Sequence, residues 1–331
     1  MPCPTVRVAA TQAEPVWFDL QGAVDKSCKL IEEAASKNAQ LVGFPEVWIP
    51  GYPCWIWSRN VYFDLNVQYI KNSLRLDSPE MQRIQDCARE NNVAVSLGFS
   101  ENCNGSLYIA QVLIGPDGEI KVHRRKMKGT HMERTVFGDG SSHALQNVEE
   151  LPFARVGSLN CWEHLQPLLK YNAITQNGDI HVAAWPPLSN DVVGDFGAYS
   201  MTAEGSKTLS RTYAMESGTF VLHCTQIITE KGIKAMKIGG QGIMSAPGGG
   251  HTTIFGPDGR VMTESIPEDK EGIIYANLDM DELVRNKMFV DCTGHYSRPD
   301  VLWLGVSPEI KNVVRPQRVE VARNTNEQGD W

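Results

Sequence analysis

The chain has 331 residues, of which 42% are hydrophobic, enough to bury a large α/β core. Its 31 Lys+Arg against 39 Asp+Glu leave a net charge of −8, so no overall positive field exists to hold a polyanion and nucleic acid is excluded as a partner. No run of about 18 apolar residues occurs, so no membrane span is expected.

The opening MPCPTVRVAATQAEP lacks the basic start and apolar run of a signal peptide, which sets the expectation of a cytoplasmic protein. From there the chain alternates strand-like and helical patterns. VRVAATQA reads as a strand, and a helix follows whose Val24, Cys28, Ile31 and Ala35 share one face, then the buried-looking run LVGF. Ser78 and Pro79 read as the N-cap and first residue of another helix, striped by Met81, Ile84 and Ala88. VAVSLGF follows as a strand. LYIAQVLIGPDGEIKV and GHTTIFGPDGRVM each set Gly-Pro-Asp-Gly between strand-like runs, and both read as hairpins. The repetition points to a sheet-plus-helix unit used twice, with two sheets face to face and helices outside. One domain is expected over residues 1–307, followed by a polar tail over 308–331 that extends along the surface or into an oligomer interface.

Eight cysteines, at positions 3, 28, 54, 87, 103, 161, 224 and 292, form no CxxC pair and read as reduced thiols. Cys28 and Cys87 fall on helical stripes and read as small core residues. No HExxH, GxGxxG or GxxxxGK[ST] pattern occurs, and no metal or cofactor is expected.

Cys161 lies where ARVGSLNCWEHLQPLL changes from strand to helical pattern. A thiol there would meet the amides that open a helix, which lower thiol pKa values and favour the nucleophilic thiolate. Glu46 follows a strand-like run and sits among Phe44, Trp48, Tyr52, Trp55 and Trp57, surroundings that raise a carboxyl pKa and suit proton transfer. In EIKVHRRKMKGTHMER, strand parity places Ile120, Val122, Arg124 and Lys126 on one face. Glu133 is a second acid close by. A thiol to attack, a carboxylate to take its proton and an ammonium to steady negative charge form one toolkit.

FPEVWIPGYP, HRRKMKGTHMERTVFGDG, LNCWEH and IHVAAWP, in that order, resemble the signature blocks of the nitrilase branch of the carbon–nitrogen hydrolase superfamily. The resemblance spans roughly residues 5 to 305. It implies an α/β fold, the four-layer αββα sandwich of two packed mixed sheets with helices outside. It also implies a Glu-Lys-Cys triad at Glu46, Lys126 and Cys161, with Glu133 as an additional glutamate that positions water. Tyr52, Trp162 and Pro186 match pocket-lining positions, and Trp55 and His164 join them as substrate-binding candidates. One departure is Gly129, where relatives carry proline, which puts substrate range in doubt. Members of this branch build spirals or filaments from dimers, so a homo-oligomer is expected.

The implied reaction joins Cys161 to a nitrile carbon as a thioimidate, then passes through a thioester to carboxylic acid and ammonia. Breaking the carbon–sulfur bond first would give an amide, as in a cyanide hydratase, and an amidase or carbamoylase would use the same triad. The aromatic cluster of Trp48, Tyr52, Trp55 and Trp57 favours an organic nitrile over bare cyanide.

Overall fold

A computed structural model describes residues 5–58, 61–190, 198–239, 242–307 and 309; the expected tail over 308–331 lies, but for residue 309, outside the described residues. No helix among the described residues is long and apolar enough to cross a membrane.

The chain opens with strand β1 (Thr5–Ala13), buried along most of its length. The Asp19 side chain accepts from the Gly22 N–H and so starts helix α1 (Leu20–Ser36). The helix buries Ala23, Val24, Ser27, Ile31 and Ala34, while Cys28 and Ala35 stay half-buried. The inward stripe is therefore shifted from the expected one. The reason is close packing by small side chains: Ser27 takes the Trp48 indole N–H at 2.8 Å and donates to the Ala23 carbonyl.

Strand β2 (Leu41–Gly43) leads into the Glu46 segment, then α2 (Phe63–Asn72) and α3 (Pro79–Glu90). Ser78 caps α3 by accepting from the Met81 N–H, and Met81, Ile84, Cys87 and Ala88 are buried, the stripe expected from spacing. Strands β3 (Ala94–Cys103), β4 (Ser106–Ile114) and β5 (Ile120–Arg125) form an antiparallel meander. The Gly-Pro-Asp-Gly turn between β4 and β5 closes with Gly115 donating to Glu119, and Gly118 takes φ +82°, which favours glycine.

The second half runs through β6 (Phe137–Gly138), β7 (Val148–Glu150), β8 (Arg155–Asn160), α4 (Pro167–Ile174), β9 (Ile180–Trp185), α5 (Ala203–Ser217), β10 (Phe220–Gln226) and α6 (Glu230–Met236). It ends with β11 (Thr253–Phe255), β12 (Gly272–Asp279) and α7 (Asp281–Phe289). After β11, the second Gly-Pro-Asp-Gly turn folds Val261 back on Phe255, the second expected hairpin.

The strands follow the order β5-β4-β3-β2-β1-β10-β9-β8-β7, with β12 on β1, β11 on β10 and β6 on β4. β1 and β10 meet only at Gln12↔Thr225 and Ala13↔Gln226, whereas β9 and β10 pair from Phe220↔Ile180 to Thr225↔Trp185. The hydrogen-bonded path is thus continuous but folds on itself at this corner. Val6, Val8, Ala10 and Leu41 from one half then share a core with Val156, Ile180, Val182 and Leu222 from the other. Outside, α1 and α3 cover Val42, Phe44, Val95 and Leu97, while α4 and α5 cover Leu159, Ala183, Trp185 and Val221. The four-layer αββα order is present, with the two sheets joined at one edge.

Candidate active site

Glu46, three residues past β2, is fully buried. Its Oε1 accepts from Lys126 Nζ at 2.8 Å, and its Oε2 has no partner. The Glu46 carbonyl accepts from the Gln226 side chain, whose oxygen takes the Tyr52 N–H, so this segment is tied to β10. Lys126 directly follows β5. Arg124 and Lys126 are buried while Arg125 is half-buried, the alternation that strand parity requires.

Lys126 also donates to Glu133 Oε2 at 2.8 Å. Glu133 lies on a single turn, His131–Thr135, and accepts from the Thr130 N–H at 2.7 Å and the Tyr52 hydroxyl at 2.8 Å. The two carboxylates are therefore loaded differently. Glu133 receives three donors, whereas Glu46 receives one and keeps an oxygen open.

Cys161 stands at the end of β8, is 1% exposed, and begins the turn Cys161–Leu165 with φ +44°. The charges of Glu46, Lys126 and Glu133 and the neighbouring Trp162 main-chain N–H all act on its sulfur. The sequence expectation of a lowered thiol pKa is overturned. Burial, followed by the negative charge of Glu46, pushes this thiol well above its ordinary range against the pull of Lys126 and the Trp162 N–H. The turn is too short and too buried to outweigh desolvation.

The same burial acts on the partners. It raises Glu46 to about 8 despite the Lys126 ammonium. For Lys126 burial works toward the neutral amine but is outweighed by Glu133 and Glu46, so the ammonium persists. The resting group is thus a protonated thiol beside a carboxyl group with one unoccupied oxygen and an ammonium fixed between two acids. It can move a proton off sulfur and hold negative charge on an attacked atom.

Sequence reasoning missed the bracket behind this group. The Arg124 guanidinium grips Glu163 at 2.6 and 2.8 Å, with both side chains fully buried. Glu163 in turn accepts the Met127 N–H and the Asn160 N–H, each at 2.9 Å. One carboxylate therefore binds the residue after Lys126 and the residue before Cys161. The available signal was the inward parity of Arg124.

The expected pocket residues divide. Tyr52 is buried against Glu133 and takes the Trp57 indole N–H at 3.2 Å, while Trp57 stacks on His131 with rings 5.8 Å apart. Pro186 is buried just past β9, and half-buried Trp162 donates to the Ser200 carbonyl at 3.2 Å. Three others make their contacts elsewhere. Trp48 packs with Phe44 beneath α1, because Val47 at φ +50° lies between it and Glu46 and the two side chains leave on different sides. Trp55 is committed to packing on Phe18 and Tyr69. His164 points inward, from Nδ1 to the Cys161 carbonyl and from Nε2 to His181.

At Gly129 φ is not positive, and an added Cβ would meet its nearest atoms, on Arg134 and Glu133, at 3.4 Å. The backbone there does not demand glycine. Among the described residues no group of three or more His, Cys, Asp or Glu could hold a metal ion.

Removing one partner of the Arg124–Glu163 pair strands the other charge in the core. Arg124→Met is expected to lower unfolding free energy by about 3–5 kcal/mol, read from urea titration, and Glu163→Gln by less because hydrogen-bonding oxygen remains.

The chain matches the carbon-nitrogen hydrolase family over residues 7–287. It is 74% identical over 328 residues to an arylacetonitrilase of Hypocrea virens, covering 99% of each chain. An arylacetonitrilase of Aspergillus kawachii is 55% identical over 325 residues, covering 98% of each. Among solved structures, an amidase from Nesterenkonia sp. AN1 in complex with acrylamide aligns with a TM-score of 0.61 at 17% identity, over 86% of this chain and 95% of that one. Another form of that amidase carries an acetamide moiety on its active-site cysteine. The chain belongs to the carbon-nitrogen hydrolase family, on the branch that holds the arylacetonitrilases.

Proposed function

We propose that this protein hydrolyses arylacetonitriles to the carboxylic acid and ammonia, with Cys161 as nucleophile, Glu46 as base and Lys126 as charge stabiliser. The observation that carries the reading is the unpartnered Glu46 Oε2 beside a buried thiol, with Lys126 fixed by two acids. The 74% identity to an arylacetonitrilase supports the substrate class, and the adduct on the amidase cysteine supports the nucleophile.

Glu46 accepts the thiol proton as sulfur adds to the nitrile carbon, and the proton passes to nitrogen, giving a thioimidate. Lys126 and the Trp162 N–H oppose the negative charge that builds on nitrogen. Water then adds, losing a proton to Glu46, and Glu133, held by three donors, orients that water. Expulsion of ammonia leaves a thioester, and a second water releases the acid and restores the thiol. Tyr52, Trp57 and Trp162 supply the apolar walls nearest this chemistry.

Intact-mass spectrometry during turnover of phenylacetonitrile, with acid, amide and ammonia measured together, is expected to show a covalent adduct and mostly acid. Cys161→Ala should abolish adduct and turnover alike. Turnover of cyanide far above that of phenylacetonitrile would overturn the substrate class.

Glu46 acts as a base only when ionised, and its carboxyl is raised to about 8. Activity should therefore be lost as pH falls through that value, giving kcat/KM a rising limb centred near pH 8. A profile flat from pH 6 to 9 would contradict the assignment of the base.

The same reading includes a homo-oligomer. α7 buries no side chain, and Met288, Phe289, Leu302 and Trp303 are 80%, 81%, 78% and 77% exposed, an apolar display that supports association with further copies. Light scattering should give a mass above the 36.7 kDa of one chain, and Phe289→Glu with Trp303→Glu should reduce it.

A further inference from the structure

The Cys161–Trp162 peptide carries two polar groups with different tasks. Its N–H is one of the groups that act on the Cys161 sulfur. Its C=O, which a planar trans peptide turns the opposite way, accepts from His164 Nδ1 at 2.7 Å. A carbonyl only accepts, so Nδ1 carries the hydrogen. In a neutral ring Nε2 is then an acceptor, and the His181 Nε2 at 3.0 Å must donate to it. The hydrogen bonds run in one direction, from His181 through His164 to the carbonyl of the nucleophilic residue.

Both rings are clamped in the core. His164 stacks on Trp185 with centroids 5.4 Å apart, and His181 stacks on Tyr213 at 4.0 Å. Burial lowers His164 to about 4 and His181 well below its usual value, so both rings stay neutral near pH 7. The anchored residue is strained: at φ +44° a non-glycine residue costs about 1–2 kcal/mol. A turn released from this anchor would relax, rotating the peptide and swinging its N–H away from sulfur.

We propose that His164 and His181 are positioning residues, a hydrogen-bonded pair that anchors the Cys161 carbonyl and thereby aims the Trp162 N–H at the atom where negative charge develops. This inference rests on the nitrile-hydrolysing reading above. It removes His164 from the substrate pocket and gives it a task behind the nucleophile.

The test separates hydrogen bonding from space filling. Asparagine can place an amide N–H where His164 Nδ1 lies, glutamine can do so for His181 Nε2, and phenylalanine fills the ring's place without a donor. His164→Asn and His181→Gln are expected to keep most of kcat. His164→Phe and His181→Phe should lower kcat about tenfold to a hundredfold at unchanged KM, since outright loss of such a donor costs about a hundredfold to a thousandfold and misaiming it costs less. They should also slow alkylation of Cys161 by iodoacetamide. His181→Gln against His181→Asn, equal in polarity but unequal in reach, gives the same comparison if the Phe variants do not fold: Gln should exceed Asn in kcat. Retention of kcat by the Phe variants, a ranking with Phe above Gln and Gln above Asn, or equal loss in His181→Gln and His181→Asn would overturn the proposal. Cys161→Ala in the same assays keeps the two readings apart. If it retains turnover, the nucleophile assignment falls; if it is inactive while the Phe variants keep kcat, only the positioning role falls.

Discussion

The buried ion pair between Arg124 and Glu163 is the constraint on which the rest of the site depends. Arg124 lies on β5, in the first half of the sheet, and Glu163 follows β8 in the second. A buried ion pair is costly to desolvate and does not by itself make a fold stable. Here the carboxylate is satisfied in full, taking the guanidinium on both oxygens and main-chain N–H groups from both halves. Ammonium and sulfur follow the ends of two strands, β5 and β8, that lie in different halves of the sheet. The pair joins these two ends into one frame.

Desolvation then shapes the chemistry inside that frame. Water is excluded from Glu46, Lys126, Glu133 and Cys161 alike, so each charge is set by its neighbours. Lys126 stays cationic because two acids face it. Glu133, with three donors, is held as an acceptor of hydrogen bonds, and Glu46, with one, retains the capacity to take a proton. Two identical side chains thus acquire separate roles through unequal hydrogen bonding. The thiol remains protonated until a substrate and an ionised Glu46 are both present, which protects a buried nucleophile from ionising at rest.

A second frame stands behind the first. The turn that begins at Cys161 is held from below by Glu163 at Asn160 and from behind by His164 at the Cys161 carbonyl. α5 closes this side through Tyr213 against His181 and Ser210, which accepts from the Trp185 indole N–H at 2.9 Å. The outer helical layer therefore reaches the reacting atoms through aromatic and imidazole rings.

Sequence alone determined much of this. Strand and helix periodicity located β1, α3 and both Gly-Pro-Asp-Gly hairpins, because those patterns depend on local geometry. Parity along β5 put Arg124 and Lys126 on one buried face, and the order of the motif blocks singled out Glu46, Lys126, Glu133 and Cys161. What only the tertiary structure decided is how these segments face one another. The joining of both sheets at Gln12 and Ala13, the Arg124–Glu163 bracket and the His164–His181 pair all link residues far apart in sequence or turned by a left-handed residue. The thiol pKa went the other way from the local expectation for the same reason. A helix start is visible in the letters, but desolvation depends on everything packed around the sulfur.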